Sequence, residues 1–290
     1  MPSLTRILRR LRSGTPTSPR GIPESAFEHP KTWEERTALA LASDDNRFLP
    51  RHPDAGAIRD GAQVMHNGIL VPTGGYYGPE NAKLLEANRG VHEPQEERVF
   101  AAVLEHIPHG AFMIELGSYW AFYSSWFLAA VPQSRALLVE PDPKCLEVGR
   151  QTLALNGLTG RADFIPGWVG KFPPPHPTGA RATTVDELVR SGSIDHVNIL
   201  HADVQGEECR MLRGCRESFA RNLFDWVFLS THSMYRHAEC RHIIAHHKFI
   251  MVAKTDMPES YSYDGLLVYK RPGIPGPDRI EISQRPYPAH

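Results

Sequence analysis

Residues 249–269 read FIMVAKTDMPESYSYDGLLVY. Two apolar runs, Phe249–Ala253 and Gly265–Tyr269, flank the polar stretch Lys254–Asp264, which carries no helical pattern. Strands joined without a crossover helix pair antiparallel. Upstream, from Ala111, the chain alternates buried-type strands with amphipathic helices. The strands are expected at Phe112–Leu116, Ala136–Val139, Ala162–Pro166, Val197–Ala202 and Trp226–Leu229. The helices are expected near Tyr123–Ala130, Lys144–Leu155, Val185–Arg190, Glu207–Ala220 and Ala238–His247. Such alternation builds an α/β, mostly parallel sheet wound on both faces. The sequence therefore predicts a seven-stranded sheet with an antiparallel last strand, and the helix-free final pair separates it from a plain dinucleotide-binding sheet.

Working outward, residues 31–95 read as an N-terminal accessory or lid region, with a helix over Thr32–Ser43. HNGILVPTGGYYG (66–78) reads as a strand, a glycine turn and an aromatic edge. GVHEPQEERVFAAVLEHI (90–107) opens a helix, with Pro94 in its first turn and Glu93, Glu96 and Glu97 at its positive end. The main domain is expected over 96–271, a Pro-rich C-terminal tail over 272–290, and a flexible basic arm over 1–30. In that arm Leu4, Ile7, Leu8 and Leu11 alternate with Arg6, Arg9, Arg10 and Arg12. A solvated tail is favoured over a membrane-touching helix at this length.

The 290 residues carry a net charge of -1, so nothing electrostatic points to nucleic acid as a partner. Cys145, Cys209, Cys215 and Cys240 form no C-x-x-C pair and read as thiols in a reducing compartment. No run reaches the roughly 18 apolar residues of a membrane span, and no apolar stretch follows Arg9 and Arg10 to make a secretory signal. The expected location is cytoplasmic, as a single copy or a homo-oligomer.

Chemistry concentrates at strand ends. In MIELGSYWAFYSSWF (113–127) the first strand turns at Gly117, where ligands of open α/β sheets bind; Glu115 can meet an ammonium group. In LLVEPDPKCLEVG (137–149) Glu140 ends the next strand, about twenty residues beyond Gly117, as a carboxylate that holds a ribose diol does. Pro141 and Pro143 stop that strand and Asp142 caps the helix after it. In VNILHADVQGEECRMLRG (197–214) Asp203 ends a third strand; a helix-capping acid is the competing reading. In DWVFLSTHSMYRHAEC (225–240) His232 ends a fourth. A free imidazole there can act as general base, or it can share a divalent cation such as Mg2+ with Asp203. His237, His242, His246 and His247 read as a solvated helix face, since neither an H-E-x-x-H glutamate nor a cysteine pair accompanies them.

Together these segments resemble the FkbM family of S-adenosylmethionine (SAM)-dependent methyltransferases. Glu115-Leu116-Gly117-Ser118-Tyr119-Trp120-Ala121-Phe122-Tyr123-Ser124 is similar to the family's D-x-G-A-N-x-G-x-x-S turn. His201 to Gly214 is similar to its K-x-D-V-[EQ]-G-x-E-x-x-x-L-x-G block, with the family's acid falling on Glu208. TTVDELV (183–189), GVHEPQEE and STHS extend the likeness over roughly residues 65–270. The departures are Glu115, Tyr119, Ala121 and His201, where the pattern has Asp, Asn, Gly and Lys. The resemblance implies a Rossmann-like class I methyltransferase fold with SAM as cofactor, and O-methylation of a small molecule, sugar or natural product. It implies SAM contacts at Glu115, Gly117, Ser118, Tyr119, Ser124, Glu140 and Pro141, with adenine near Asp163, Phe164, Gly167 and Trp168. Asp203 and His232 would be catalytic, taking the acceptor's proton directly or through the cation. The rival readings are a non-catalytic SAM-fold binding module and a nicotinamide-dependent dehydrogenase.

Overall fold

The structure, a computed structural model, describes residues 30, 32–172 and 174–286. Nearly all of the basic arm and the last four residues of the Pro-rich tail lie outside them. The chain opens with helix α1 (Trp33–Ala42), started by a capping box between Thr32 and Glu35. Strands β1 (Ile58–Arg59), β2 (Ala62–Val64) and β3 (Leu70–Pro72) then form a small antiparallel sheet. Helices α2 (Pro79–Ala87) and α3 (Pro94–Leu104) follow, both with proline in the first turn.

From there strand and helix alternate: β4 (Phe112–Leu116), α4 (Phe122–Ala130), β5 (Arg135–Glu140), α5 (Pro143–Leu155), β6 (Ala162–Val169), β7 (Arg181–Thr183), α6 (Val185–Ser191), β8 (Val197–Ala202), α7 (Glu208–Arg213), α8 (Arg216–Ala220), β9 (Phe224–Thr231), α9 (Met234–Ala245), β10 (Ile250–Thr255) and β11 (Gly265–Lys270). The eight strands from β4 to β11 lie in the order β10-β11-β9-β8-β4-β5-β6-β7. Only β11 runs against its neighbours, pairing antiparallel with both β9 and β10. This is the mostly parallel, Rossmann-like methyltransferase arrangement expected from the sequence, with one strand more. The eighth, β7, is three residues long and mostly exposed, and it pairs with Gly167–Val169. Residues 207–220 form two short helices where one was expected, because the chain turns at Gly214 and Cys215.

The sheet is packed on both faces, which is why its strands read as continuous apolar runs. On one face α3, α4 and α5 bury Phe100, Phe122, Trp126 and Leu153 together with Met65, Leu84 and Leu85 of the preceding region. On the other, α6 to α9 bury Val185, Met211, Phe219, Cys240 and Ile244. Beyond β11 the described tail is irregular but tied down: Ile280 N donates to Val252 O at 2.9 Å, and Ser283 N to Asp45 at 3.0 Å. Among the described residues no helix is long and apolar enough to cross a membrane.

Candidate functional site

The order β8-β4-β5 places a reversal of winding at β4, so the carboxyl ends of these strands open a crevice there. Gly117, directly after β4, has φ +73°, and a Cβ on it would stand 1.8 Å from the carbonyl oxygen of Asp203. Only glycine fits. Asp203 N donates to Leu116 O at 2.9 Å, and Gly117 N to Val139 O at 2.8 Å, so three strand ends are stitched together. Further along the same turn Tyr119 and Ala121 also have positive φ, 34° and 56°. These are the positions that the FkbM-type pattern gives to Asn and Gly, residues that enter this region at least cost. This turn holds left-handed backbone at both positions without the residues that most favour it.

A cavity of about 370 Å³ lies over these ends, within the roughly 300–1,000 Å³ typical of cofactor sites. Gly117, Tyr119, Glu140, Pro141, Gly167, Trp168 and Asp203 line it, all singled out from sequence. Glu140 accepts from Tyr119 N at 3.2 Å and Asp142 N at 2.9 Å, one bond per oxygen, so each oxygen keeps a lone pair for a ligand. Burial pushes its carboxyl up to about 7 against those two N–H groups.

Other expected contacts lie elsewhere. Glu115 points beneath the turn and accepts from Ser124 N at 3.1 Å, holding the first turn of α4 from inside; burial pushes it up to about 7. It holds the turn from beneath and is not among the residues that line the cavity. Ser118 and Ser124 are buried there too. Asp163 is exposed and pairs with Arg135 at 3.1 Å, and Phe164 packs beneath Arg150. The physical reason is that β6 runs on to Val169. Asp163 and Phe164 sit beside Leu137 and Leu138, short of the strand end, while Pro166 lies beside Glu140.

His232 follows β9 and reaches Asp203 Oδ1 with Nε2 at 3.1 Å. The same nitrogen faces Asp264 Oδ1 at 3.3 Å, and Nδ1 bonds to the buried carboxylate of Glu208. Burial alone would lower the ring's pKa, but Asp264, Asp203 and Glu208 outweigh it and push it up to about 11. These carboxylates thus favour the protonated ring, with Nδ1 bonded to Glu208 and Nε2 facing Asp203 and Asp264, over the free imidazole expected of a base. Burial pushes Asp264 up to about 7 against the pull of that cation. Among the described residues no group of three or more His, Cys, Asp or Glu side chains has metal-holding geometry.

His237 departs from the solvated face expected of it. It is buried, its Nδ1 lies 2.9 Å from Thr231 Oγ1, and burial drives its pKa down to about 3. Sequence reasoning missed Tyr76, Tyr77, Cys145, His176, Val139, Val169, Val204 and Gln205 in the cavity wall, and Asp264 beside His232. Asp264 comes into place through the antiparallel register of β11 on β9, a pairing the sequence did not signal: Gly265 pairs with Thr231, which sets Asp264 opposite His232.

No protein-family model matches the chain, and no curated protein matches it in sequence. Among solved structures it is similar to precorrin-6y C5,15-methyltransferase from Geobacter metallireducens GS-15, with 11% identity, 59% of this chain and 85% of that one covered, and a TM-score of 0.41. It is similar to TrmK of M. capricolum, solved with S-adenosyl-homocysteine, with 14% identity, 60% and 68% covered, and a TM-score of 0.42. The methyltransferase domain of METTL16 has 13% identity, 83% and 92% covered, and a TM-score of 0.47.

Proposed function

We propose that this chain is a SAM-dependent methyltransferase resembling the FkbM type, acting on a hydroxyl oxygen of a small molecule or sugar. The observation that carries the reading is the convergence of Gly117, Glu140 and Asp203 on one cavity at the winding reversal. Gly117 removes any side chain where a ligand must pass close to the backbone. Glu140, with a free lone pair on each oxygen, suits a ribose diol, and Gly167 and Trp168 suit the adenine side. The donor set therefore fits a nucleoside with a short polar tail.

When bound, SAM supplies an electrophilic methyl group. The chain's own work is to align and deprotonate the acceptor. Asp203 faces the cavity with one oxygen on His232 and is placed to receive the hydroxyl proton. His232, favoured as a cation by Asp264, Asp203 and Glu208, positions Asp203 and offsets the charge of Asp264. Alignment of the two reactants supplies most of the rate gain in such transfers.

Isothermal titration with S-adenosylhomocysteine and with NAD, followed by radiolabelled methyl transfer to a panel of hydroxylated acceptors, tests this. Binding of S-adenosylhomocysteine and labelled product are expected. NAD binding without S-adenosylhomocysteine binding would overturn the reading. Cofactor binding with no transfer to any acceptor would favour a binding module.

A further inference from the structure

Arg36 of α1 is half-buried beside Tyr77, a residue of the cavity wall. Its guanidinium stands 4.9 Å from the ring centre of Trp33, 5.4 Å from that of Tyr263 and 5.9 Å from that of Tyr77. All three rings lie at cation–π distances. No hydrogen bond or ion pair engages its N–H groups among the described residues. Tyr77 itself lines the cavity and bonds to Gln205 two residues beyond Asp203. Arg36's charge is felt at Asp264 and Glu93, where it opposes the burial that would raise their carboxyls.

An arginine set among three aromatic rings, with no hydrogen-bond partner for its guanidinium among the described residues, is held ready for a planar anion. The fork matches a carboxylate or phosphate bidentately. The carboxyls of Asp264 and Glu93, which feel the Arg36 charge, disfavour a doubly charged phosphate and tolerate a singly charged carboxylate better.

We propose that Arg36 is a carboxylate-binding residue of this crevice. The proposal rests on the methyltransferase reading for the identity of its ligand. That carboxylate is either the amino-acid tail of the cofactor or a carboxylate on the acceptor. The recognition chemistry is the same in both cases.

The test compares wild type with Arg36→Gln, after matching thermal midpoints show that both fold. Calorimetry uses S-adenosylhomocysteine and 5′-methylthioadenosine, which lacks the amino-acid tail. A separate arm titrates benzoate while following the Trp33 indole N–H by NMR. If the cofactor tail is the ligand, Arg36→Gln weakens S-adenosylhomocysteine about ten- to hundredfold and leaves 5′-methylthioadenosine unchanged. If the acceptor carries the carboxylate, S-adenosylhomocysteine is unaffected and the benzoate response is lost. Equal weakening of both nucleosides, or no change in any arm, overturns the proposal. A wild type that binds neither nucleoside overturns the methyltransferase reading instead, and the benzoate arm then decides Arg36 alone.

Discussion

His201 Nε2 and Glu96 Oε1 stand 2.7 Å apart, both buried, joining the helix that precedes the sheet to its central strand β8. Glu96 also accepts from Ser230 Oγ of β9 at 3.0 Å. Burial would lower the His201 pKa, but Glu96 outweighs it and the shift is upward. Next to this pair, Glu97 binds His92 and His66, and Glu93 binds His92 and the Tyr123 hydroxyl. Carboxyls read from the sequence as complements to a helix N-terminus are buried partners of histidines.

Removing one member of a buried pair strands the other charge. His201→Ala should therefore cost about 3–5 kcal/mol of stability. Urea unfolding measures it, and a loss below about 1 kcal/mol, the usual worth of a surface pair, would count against a buried ionic bond.

Gly117→Ala should damage the site more than its one methyl group suggests. The new Cβ would collide with the Asp203 carbonyl, and alanine at φ +73° is strained as well. A stability loss above about 1 kcal/mol is expected, together with loss of S-adenosylhomocysteine binding in calorimetry. Unaltered affinity would show that the turn does not approach the ligand.

Glu140 links cofactor affinity to pH. Its carboxyl lies at about 7, and only the ionised form accepts from both hydroxyls of a diol. S-adenosylhomocysteine affinity should rise by roughly tenfold at most between pH 6 and 8, as the ionised fraction grows. Glu140→Gln should give weak, pH-independent binding. A flat wild-type profile would remove Glu140 from the diol role.

Asp203→Asn should lower turnover by about 10²–10⁴-fold, the usual worth of a proton acceptor, with cofactor affinity nearly unchanged. His232→Gln should also slow turnover by loosening Asp203. Since His232 is held as a cation up to about 11, wild-type activity should show no loss from imidazole protonation near 6.5. A steep fall there, absent in His232→Gln, would make His232 the base after all.

Global stability should peak in mild acid. His232 and His92 are raised to about 11 and about 10, so their contribution is full below 6.5 and is lost as pH rises through those values. For both, burial opposes the shift and the adjoining carboxylates win. Glu115 and Glu140, raised by burial to about 7 from 4.5, lose theirs as pH rises through 7. Glu93 runs the other way. Burial would raise it, but His92 dominates and holds it at about 2, so its contribution is lost only in strong acid. Thermal scans should place the optimum between about pH 4.5 and 6.5; an optimum near pH 8 would contradict these shifts.

The strands and most helices were legible because their signals are local: apolar runs, a proline at the start of α3 and α5, glycine where the chain turns. β7 was not, being three residues of Arg-Ala-Thr with no apolar run. Gly117, Glu140 and Asp203 could be placed at the cavity because each ends or directly follows a strand, a position that needs only the strand's boundary. Asp163 and Phe164 were misplaced for the same reason, since β6 extends three residues past its expected end. The ionic state of His232 was beyond local reading. It depends on Glu208 and Asp264, which come from a different helix and from the loop before the last strand.

β11 sits between β9 and β10, although it follows both in the chain. During translation, β10 leaves the ribosome with no sheet partner, and the β9 edge stays open until residues 265–270 emerge. Until residues 265–270 are available to pair, β9 and β10 each present an unpaired hydrogen-bonding edge, the state in which strands recruit other chains, and one segment closes both.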